Sequence, residues 1–466
     1  MAIKAELNSR DRRYLDMSLN APMWRVVLYN GTPLALYQGL AAIFTILDTL
    51  MASHISKESV SAVAYLAQVN LLLSSVGGGL AVGAGIQISR AYGEGDFLLV
   101  RQRVSSLYAL SLTLGLLILA AILPFTESFL RLAGTPGELI AVGKEYFTVQ
   151  LFVMVVNFLN SVYIAVERAR GNAKRIFILN ILVIAVKLSL TAYFVYILDS
   201  GLNMIAVASL VSELTMFVFA IHYSLIGNNA FSFSPKAVSL ERRVTPPMIR
   251  QSLPVIAEKA LFAFGKTIVN SMCTVYGAVM VGAMGVSNNL GSITTNPQSG
   301  FEQGSAAVIS QNFGAGRFHR VLEAFYATAA VSMLLGAVIS GLELWQLHFL
   351  SGLFDGGSED FRQMIAMVYR YEALAAVPLG FNTAVMALLY GLGKTKLTLI
   401  LNFSRVFLFR IPVFWFLQHC TGVGEKSVGI VMMVSNTSVA VAAGLAAVFV
   451  IRRFKRDFMN PVDQRS

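Results

Sequence analysis

Charge and cysteine are both scarce in this chain of 466 residues: 13% are charged, and Cys273 and Cys420 are the two cysteines. Two thiols in or beside apolar stretches exclude a disulfide framework and a clustered thiolate metal site. The five histidines (His54, His222, His319, His348 and His419) are scattered near the ends of apolar segments, so no metal centre or other cofactor is expected. No Ser/His/Asp or metal-spaced constellation stands out, and no sizeable polar stretch could form a soluble catalytic domain, so an enzyme is not expected. Residues 1–30 are polar and basic and lack the short apolar core that a cleavable signal peptide needs.

What the chain has is apolar length. Hydrophobic residues make up 56% of it, and runs of about 20 of them recur, enough to cross a hydrocarbon layer of roughly 30 Å. Twelve such runs can be drawn: 33–53, 60–88, 100–124, 140–166, 175–198, 203–226, 251–274, 280–310, 322–348, 364–391, 397–418 and 427–451. This predicts an all-α polytopic membrane protein. The net charge of +11 is a matter of topology rather than of a nucleic-acid partner. Lys and Arg gather at residues 4–25, 90–103, 168–175, 236–250, 317–320, 394–396 and 452–465, in alternate loops. By the positive-inside rule both termini are cytoplasmic, in the inner (plasma) membrane.

The chain also repeats itself, at an offset of 221–222 residues. Pro33 aligns with Pro254, Gly79 and Gly83 with Gly300 and Gly304, and Gly93, Gly95 and Phe97 with Gly314, Gly316 and Phe318. Further on, Asn160, Gly171 and Lys174 align with Asn382, Gly393 and Lys396. Each half therefore holds six spans, and an even number makes the repeats parallel, an arrangement used by secondary transporters. The expected organisation is a cytoplasmic segment (1–30), an N-lobe (31–226), a cytoplasmic linker (227–249), a C-lobe (250–451) and a cytoplasmic tail (452–466), with a cavity between the two pseudo-symmetric lobes. The repeated glycines read as sites of close helix approach. The GxG at 93–95 lacks the strand-then-helix setting of a dinucleotide loop.

One residue stands out for its cost. Asp48 is an acid inside the first apolar run, where a carboxylate costs roughly 2.5–3.5 kcal/mol on insertion scales, so it is a candidate for ion or substrate handling. Asp48-Thr49 following Pro33, ISRAYGEGD and ISQNFGAGR after spans 2 and 8, and ERARGNAKR and LLYGLGKTK after spans 4 and 10 resemble the MATE (multidrug and toxic compound extrusion) family. That group lies within the multidrug/oligosaccharidyl-lipid/polysaccharide exporters, and the resemblance covers essentially the whole chain. It implies a monomeric transporter in the lipid bilayer that exports small amphiphilic, often cationic compounds in antiport with H+ or Na+.

The resemblance assigns Asp48 to a polar cation site that the family completes with an Asn-x-x-x-Asp pair on the fifth helix. Here Lys187 and Thr191 stand at those positions, with Asn180 on the same helical face. An ammonium beside Asp48 would occupy the place of a bound cation, which favours H+ over Na+ as coupling ion; a static ion pair is the bland alternative. On span 7, Glu258, Lys259, Lys266 and Asn270 are candidates, Asn270 being the repeat partner of Asp48. Gln38, Asn157 and Asn160 could line a cavity, as could Gln68, Asn70, Asn288 and Asn289, and Glu213 and Glu302 are weaker candidates. Arg405 and Arg410 read as helix-packing residues. Lys187 and Lys266 keep open a rival within transport, a flippase or exporter of an anionic or lipid-linked amphiphile; a membrane-embedded enzyme is the remote alternative.

Overall fold

The structure, a computed structural model, describes residues 6–53, 57–133, 135, 137–225, 229–354 and 358–459, with the side chains of all but 43–65, 68, 142 and 278. Its helices in the first half are α1 (Ser9–Asn20), α2 (Met23–Ser53), α3 (Lys57–Glu94), α4 (Phe97–Ile122), α5 (Thr126–Leu132), α6 (Gly137–Ala169), α7 (Ala173–Ala192) and α8 (Asn203–Leu225). The second half follows with α9 (Thr245–Cys273), α10 (Ala278–Gly314), α11 (Phe318–Trp345), α12 (Leu347–Gly352), α13 (Glu359–Leu374), α14 (Ala376–Gly391), α15 (Thr395–Phe403), α16 (Ile411–Cys420) and α17 (Lys426–Phe454).

Among the described residues eight helical segments are long and apolar enough to cross a membrane, and α13 with α14 makes a ninth that is bent by 49°. Pro378, in the first turn of α14, explains the bend: it has no N–H to give Leu374, and its ring crowds that carbonyl. Three more helices, α2, α9 and α10, have 31, 29 and 37 residues and an internal proline each (Pro33, Pro254 and Pro297). Together these are twelve membrane helices, six in each half.

Contacts divide the chain into two compact units that do not coincide with the two sequence halves. One comprises Met1–Asp16 and Ile43–Ala260, the other Met17–Ala42 and Leu261–Ser466. In the first unit α6 is central, packing on α3, α4 and α8, while α7 lies on α8. In the second, α14 packs on α10, α11 and α17, and α13 joins α10 and α17. Each unit thus repeats one packing scheme with its own helices, as the sequence repeat requires.

The exchange of half-helices follows from the repeated glycines. In the first unit the N-terminal half of α9 lies on α3, where a Cβ on Gly83 would stand 2.5 Å from Ser252 Cα. Ser252 Oγ uses that closeness to donate to Leu80 O at 3.0 Å. In the second unit the N-terminal half of α2 lies on α10, where a Cβ on Gly300 would stand 2.4 Å from Ala35 N. Small residues that let two backbones touch are the usual device for packing helices in lipid.

The other repeated glycines end helices. At Gly95, Gly171, Gly316 and Gly393 the backbone has φ of 76°, 74°, 71° and 72°. Each is the left-handed residue of a Schellman turn, in which the next N–H reaches five residues back: Asp96 to Ala91, Asn172 to Glu167, Arg317 to Asn312 and Lys394 to Leu389. Asp96 then caps α4, its Oδ1 accepting from Leu99 N at 3.0 Å.

In the first unit one of these turns carries a buried ionic knot. Arg170 donates through Nε and Nη2 to the two oxygens of Asp11 on α1, at 3.1 and 3.0 Å, and through Nη1 to Glu167 at 3.1 Å. Asp11, Glu167 and Arg170 are 2%, 1% and 8% exposed. Arg175 reaches Glu167 from α7 at 3.3 Å, Asn172 donates to Glu167, and Arg170 lies over the Phe231 ring. Tyr14 rests on Gly171, where any Cβ would collide with its ring. The ERARGN segment therefore serves as a socket for α1. In the second unit the end of α1 is held differently: Asn312 and Arg320 donate to Ser18 O at 3.2 and 3.1 Å, and Ser18 Oγ donates to Gln311 at 2.6 Å.

Candidate functional site

Among the described residues each unit has a polar cluster inside its membrane helices. In the first, Asn157 and Asn160 sit three apart on α6, on one face, and α8 packs against that helix. Asn160 Nδ2 donates to Glu213 Oε2 on α8 at 2.7 Å and to Glu213 O at 2.9 Å. Asn157 also hydrogen-bonds this carboxylate, and the ammonium of Lys187 on α7 acts on it through space. Glu213, a weak candidate in the sequence, is the acid around which the described side chains gather. Thr191 is fully buried, one helical turn beyond Lys187, and its Oγ1 has no hydrogen-bond partner among the described residues. Asn180 is buried too, and its amide donates to Ile176 O of its own helix at 2.8 Å. Asp48 belongs to the part of α2 in this unit, but its side chain is outside the described residues.

The Thr191 hydroxyl offers a sharp test. Replacing a buried, unpartnered hydroxyl by an isosteric methyl is nearly neutral or slightly stabilising. Thr191→Val is therefore expected to hold or raise the melting temperature in detergent. Transport should slow only where that oxygen serves an ion or substrate.

In the second unit a cavity of about 360 Å³ opens among α9, α10, α13, α14 and the segment 402–410. Three cations, Lys266, Arg405 and Arg410, and two carboxylates, Glu302 and Glu372, border it, with Phe262, Leu379 and Met432 as apolar wall and Asn288, Asn382 and Asn402 as amides. Arg405 Nε and Nη2 donate to Asn436 Oδ1 at 3.0 and 2.8 Å. Arg410 Nη2 donates to that same oxygen at 2.9 Å, and its Nε to Ser435 Oγ at 3.0 Å. Glu372 accepts from Ser287 Oγ at 3.0 Å and is the one carboxylate that acts on all three cations. Asn160 and Asn382, partners in the repeat, both leave a buried amide oxygen without a donor among the described residues.

A local helix defect builds this site. In a straight α-helix residues five apart point about 140° from each other. Residues Ser404–Leu408 form a π turn between α15 and α16, with Phe409 N bonded to Ser404 O at 2.9 Å. That wider turn brings Arg405 and Arg410 round to one side, and π turns of this kind are frequent at functional sites.

The sequence candidates are therefore divided between the units. Asp48, Asn157, Asn160, Asn180, Lys187, Thr191 and Glu258 belong to the first, Gln38, Lys266 and Asn270 to the second. Lys266 borders the cavity; Asn270, on the same helix, is exposed and does not. Glu258 is buried in the half of α9 that packs in the first unit. Gln38 is half-buried on the exchanged half of α2. Missed altogether were Glu372 and Glu343, the latter a buried acid whose Oε2 accepts from Thr294 at 2.7 Å and from Tyr369. The signal was available, since the rule that singles out Asp48 applies equally to acids in the spans 322–348 and 364–391.

Comparison with known proteins agrees with this architecture. The MatE family model matches residues 33–193 and 254–416, one stretch in each half. The chain is 21% identical over 383 residues to the multidrug export protein MepA of Staphylococcus aureus (strain MSSA476), a match covering 81% of this chain and 83% of MepA. It is similar to a multidrug resistance MATE family transporter of the MOP superfamily solved in an outward-facing conformation, with a TM-score of 0.91 and 20% identity, covering 97% of this chain and 100% of the other. A MOP superfamily transporter from Pyrococcus furiosus, for which a binding pocket of reverse polarity suggests a different function, has a TM-score of 0.89 and 19% identity, with 97% and 100% coverage.

Proposed function

The chain belongs to the MatE family of multi-pass membrane transporters, and from that premise we propose that it exports amphiphilic organic compounds by alternating access in exchange for protons, with Asp48 taking up the proton. The observation that supports this choice of ion is the Lys187 charge acting through space on the Glu213 carboxylate in the first unit. A Na+ site needs several oxygen ligands around an uncompensated negative charge, whereas this cluster already holds a covalently tethered cation. Like charge repels a second cation strongly where water is scarce. A proton escapes that objection because it neutralises a carboxylate instead of adding a charge next to it. Uptake of the proton drives the cycle only if its affinity differs between the inward- and outward-open states. Breaking the attraction between an ionised Asp48 and Lys187 would supply that difference.

On this reading the protein works as a monomer in the plasma membrane with both termini on the cytoplasmic side, where the Lys- and Arg-rich segments 4–25 and 452–465 remain. The test is efflux of a fluorescent amphiphile from reconstituted vesicles under separately imposed pH and Na+ gradients. Export is expected under the pH gradient alone and should slow at least about tenfold in Asp48→Asn, while Lys187→Ala gains a response to Na+. Export driven by Na+ in the parent protein would overturn the choice of ion. No movement under either gradient would overturn export itself.

A further inference from the structure

We propose that the cavity of the second unit is an anion site, and that the exported compounds include amphiphiles bearing a carboxylate, sulfonate or phosphate. This deepens the export reading and rests on it. Three cations, Lys266, Arg405 and Arg410, border the cavity against two carboxylates, Glu302 and Glu372. Lys266, Arg405 and Arg410 act on one another as like charges, and Glu372 is the single acid acting on all three. The lining therefore carries three cations against two carboxylates, and an anionic group entering the cavity would offset the mutual repulsion of the cations.

The donors are also fixed in advance. One amide oxygen, Asn436 Oδ1, accepts from both guanidiniums and holds them side by side. Both residues border the cavity. Guanidinium forks match the planar or tetrahedral oxygens of carboxylate, sulfonate and phosphate, and pre-set donors reduce the entropy lost on binding. Phe262 lies under both Lys266 and Arg405, at 5.5 and 5.3 Å, and with Leu379 and Met432 gives an apolar surface beside the charge. The volume, about 360 Å³, is that of a small organic ligand site.

The repeat sharpens the contrast between the units. With Gly201 aligned to Gly424 and Val211-Ser212 to Val434-Ser435, the position that carries Glu213 in the first half carries Asn436 in the second, and Asn436 accepts from both arginines. One unit surrounds an acid with amides and one ammonium; the other sets two arginines and a lysine, with two carboxylates, around a cavity.

The measurement is calorimetric titration of the intact protein in phosphatidylcholine nanodiscs, without any gradient, using two probes of one shape and opposite charge: 1-naphthalenesulfonate and 1-naphthylmethylammonium. The sulfonate is expected to bind at least about tenfold more tightly than the ammonium. Lys266→Gln and Arg405→Gln should each weaken the sulfonate at least about fivefold and leave the ammonium unchanged, with Arg405→Lys recovering part of the loss. Lys266 makes no side-chain hydrogen bond among those described, so its replacement leaves the fold intact even where the arginine variant does not. Equal affinity for the two probes, or sulfonate binding indifferent to both Gln variants, overturns the proposal. Discs containing phosphatidylglycerol separate the two sources of an anionic group. Unchanged sulfonate affinity supports an exported solute, and a marked fall assigns the site to a lipid headgroup and overturns it. Failure of dye efflux would leave this charge preference standing, and failure of the preference would leave efflux standing, so the two readings fall separately.

Discussion

Gly300→Val is expected to yield no folded protein. The new Cβ would stand 2.4 Å from Ala35 N and 2.6 Å from both Ala35 Cα and Leu34 C. Overpacking costs about 1–3 kcal/mol where neighbouring side chains can shift. Here the obstacle is backbone on the paired helix, which has no rotamer to change, so α2 and α10 must separate along their length. A cost above about 3 kcal/mol is a large share of the 5–15 kcal/mol that holds a typical domain together. Gly285→Ala on the same helix is the control, because a Cβ there meets nothing within 4 Å. It should be neutral or gain up to about 1 kcal/mol from helix propensity. The monodisperse fraction on size exclusion in detergent reads both, and a Gly300→Val protein that elutes and melts like the parent would refute the close contact.

Arg170→Met should destabilise by about 3–5 kcal/mol, the usual cost of stripping one partner from a buried ionic cluster. Burial works against the Arg170 charge, but Glu167 and Asp11 outweigh it and hold the guanidinium pKa above the ordinary arginine value. The side chain is therefore charged throughout the accessible pH range, and its loss leaves the nearly buried Asp11 without its ion-pair partner. Glu167 keeps Arg175 and Asn172, which limits the damage on that side. The double variant Asp11→Leu/Arg170→Met should lose clearly less than the two single losses added together, since neighbours in one network are not independent. Melting temperatures of the four proteins in detergent close the cycle. Strict additivity would mean that the cluster is a coincidence of position and not a bond.

These expectations could not all have been drawn from the chain alone. Periodicity and length were enough for the membrane helices, and the 221–222 offset was enough for two equivalent sets of six. The glycines at 83 and 300 were legible as close approaches, but not what approaches them. A repeat offset says nothing about which helix crosses which, and the partners lie 169 residues downstream in one case (Ser252) and 265 upstream in the other (Ala35). Lys259, Lys266 and Asn270, at i, i+7 and i+11 of span 7, share one face of a helix, which reads as a single stripe only if α9 presents that face to one environment. The helix in fact changes unit after Ala260, which separates Lys259 from Lys266. Arg405 and Arg410 read as packing residues in the sequence, where a spacing of five sets them on opposite sides of an α-helix. The π turn that reunites them leaves no mark in the pattern of apolar residues. Glu213 was undervalued for a simpler reason: its weight comes from Asn160, 53 positions away, and no local spacing joins them.

The exchange of half-helices bears on how the protein is made. Ala35 leaves the ribosome early, yet the groove at Gly300 that receives it is synthesised some 265 residues later. At the 5–20 residues per second of translation, the first membrane helix must wait roughly 15–50 s in the bilayer before its N-terminal half finds its seat. During that interval its proline and polar side chains lack their final neighbours, and a helper or the insertion machinery itself has something to shelter. Truncated nascent chains ending before α10 should accordingly keep the start of α2 accessible to crosslinkers, and chains extended beyond it should lose that accessibility.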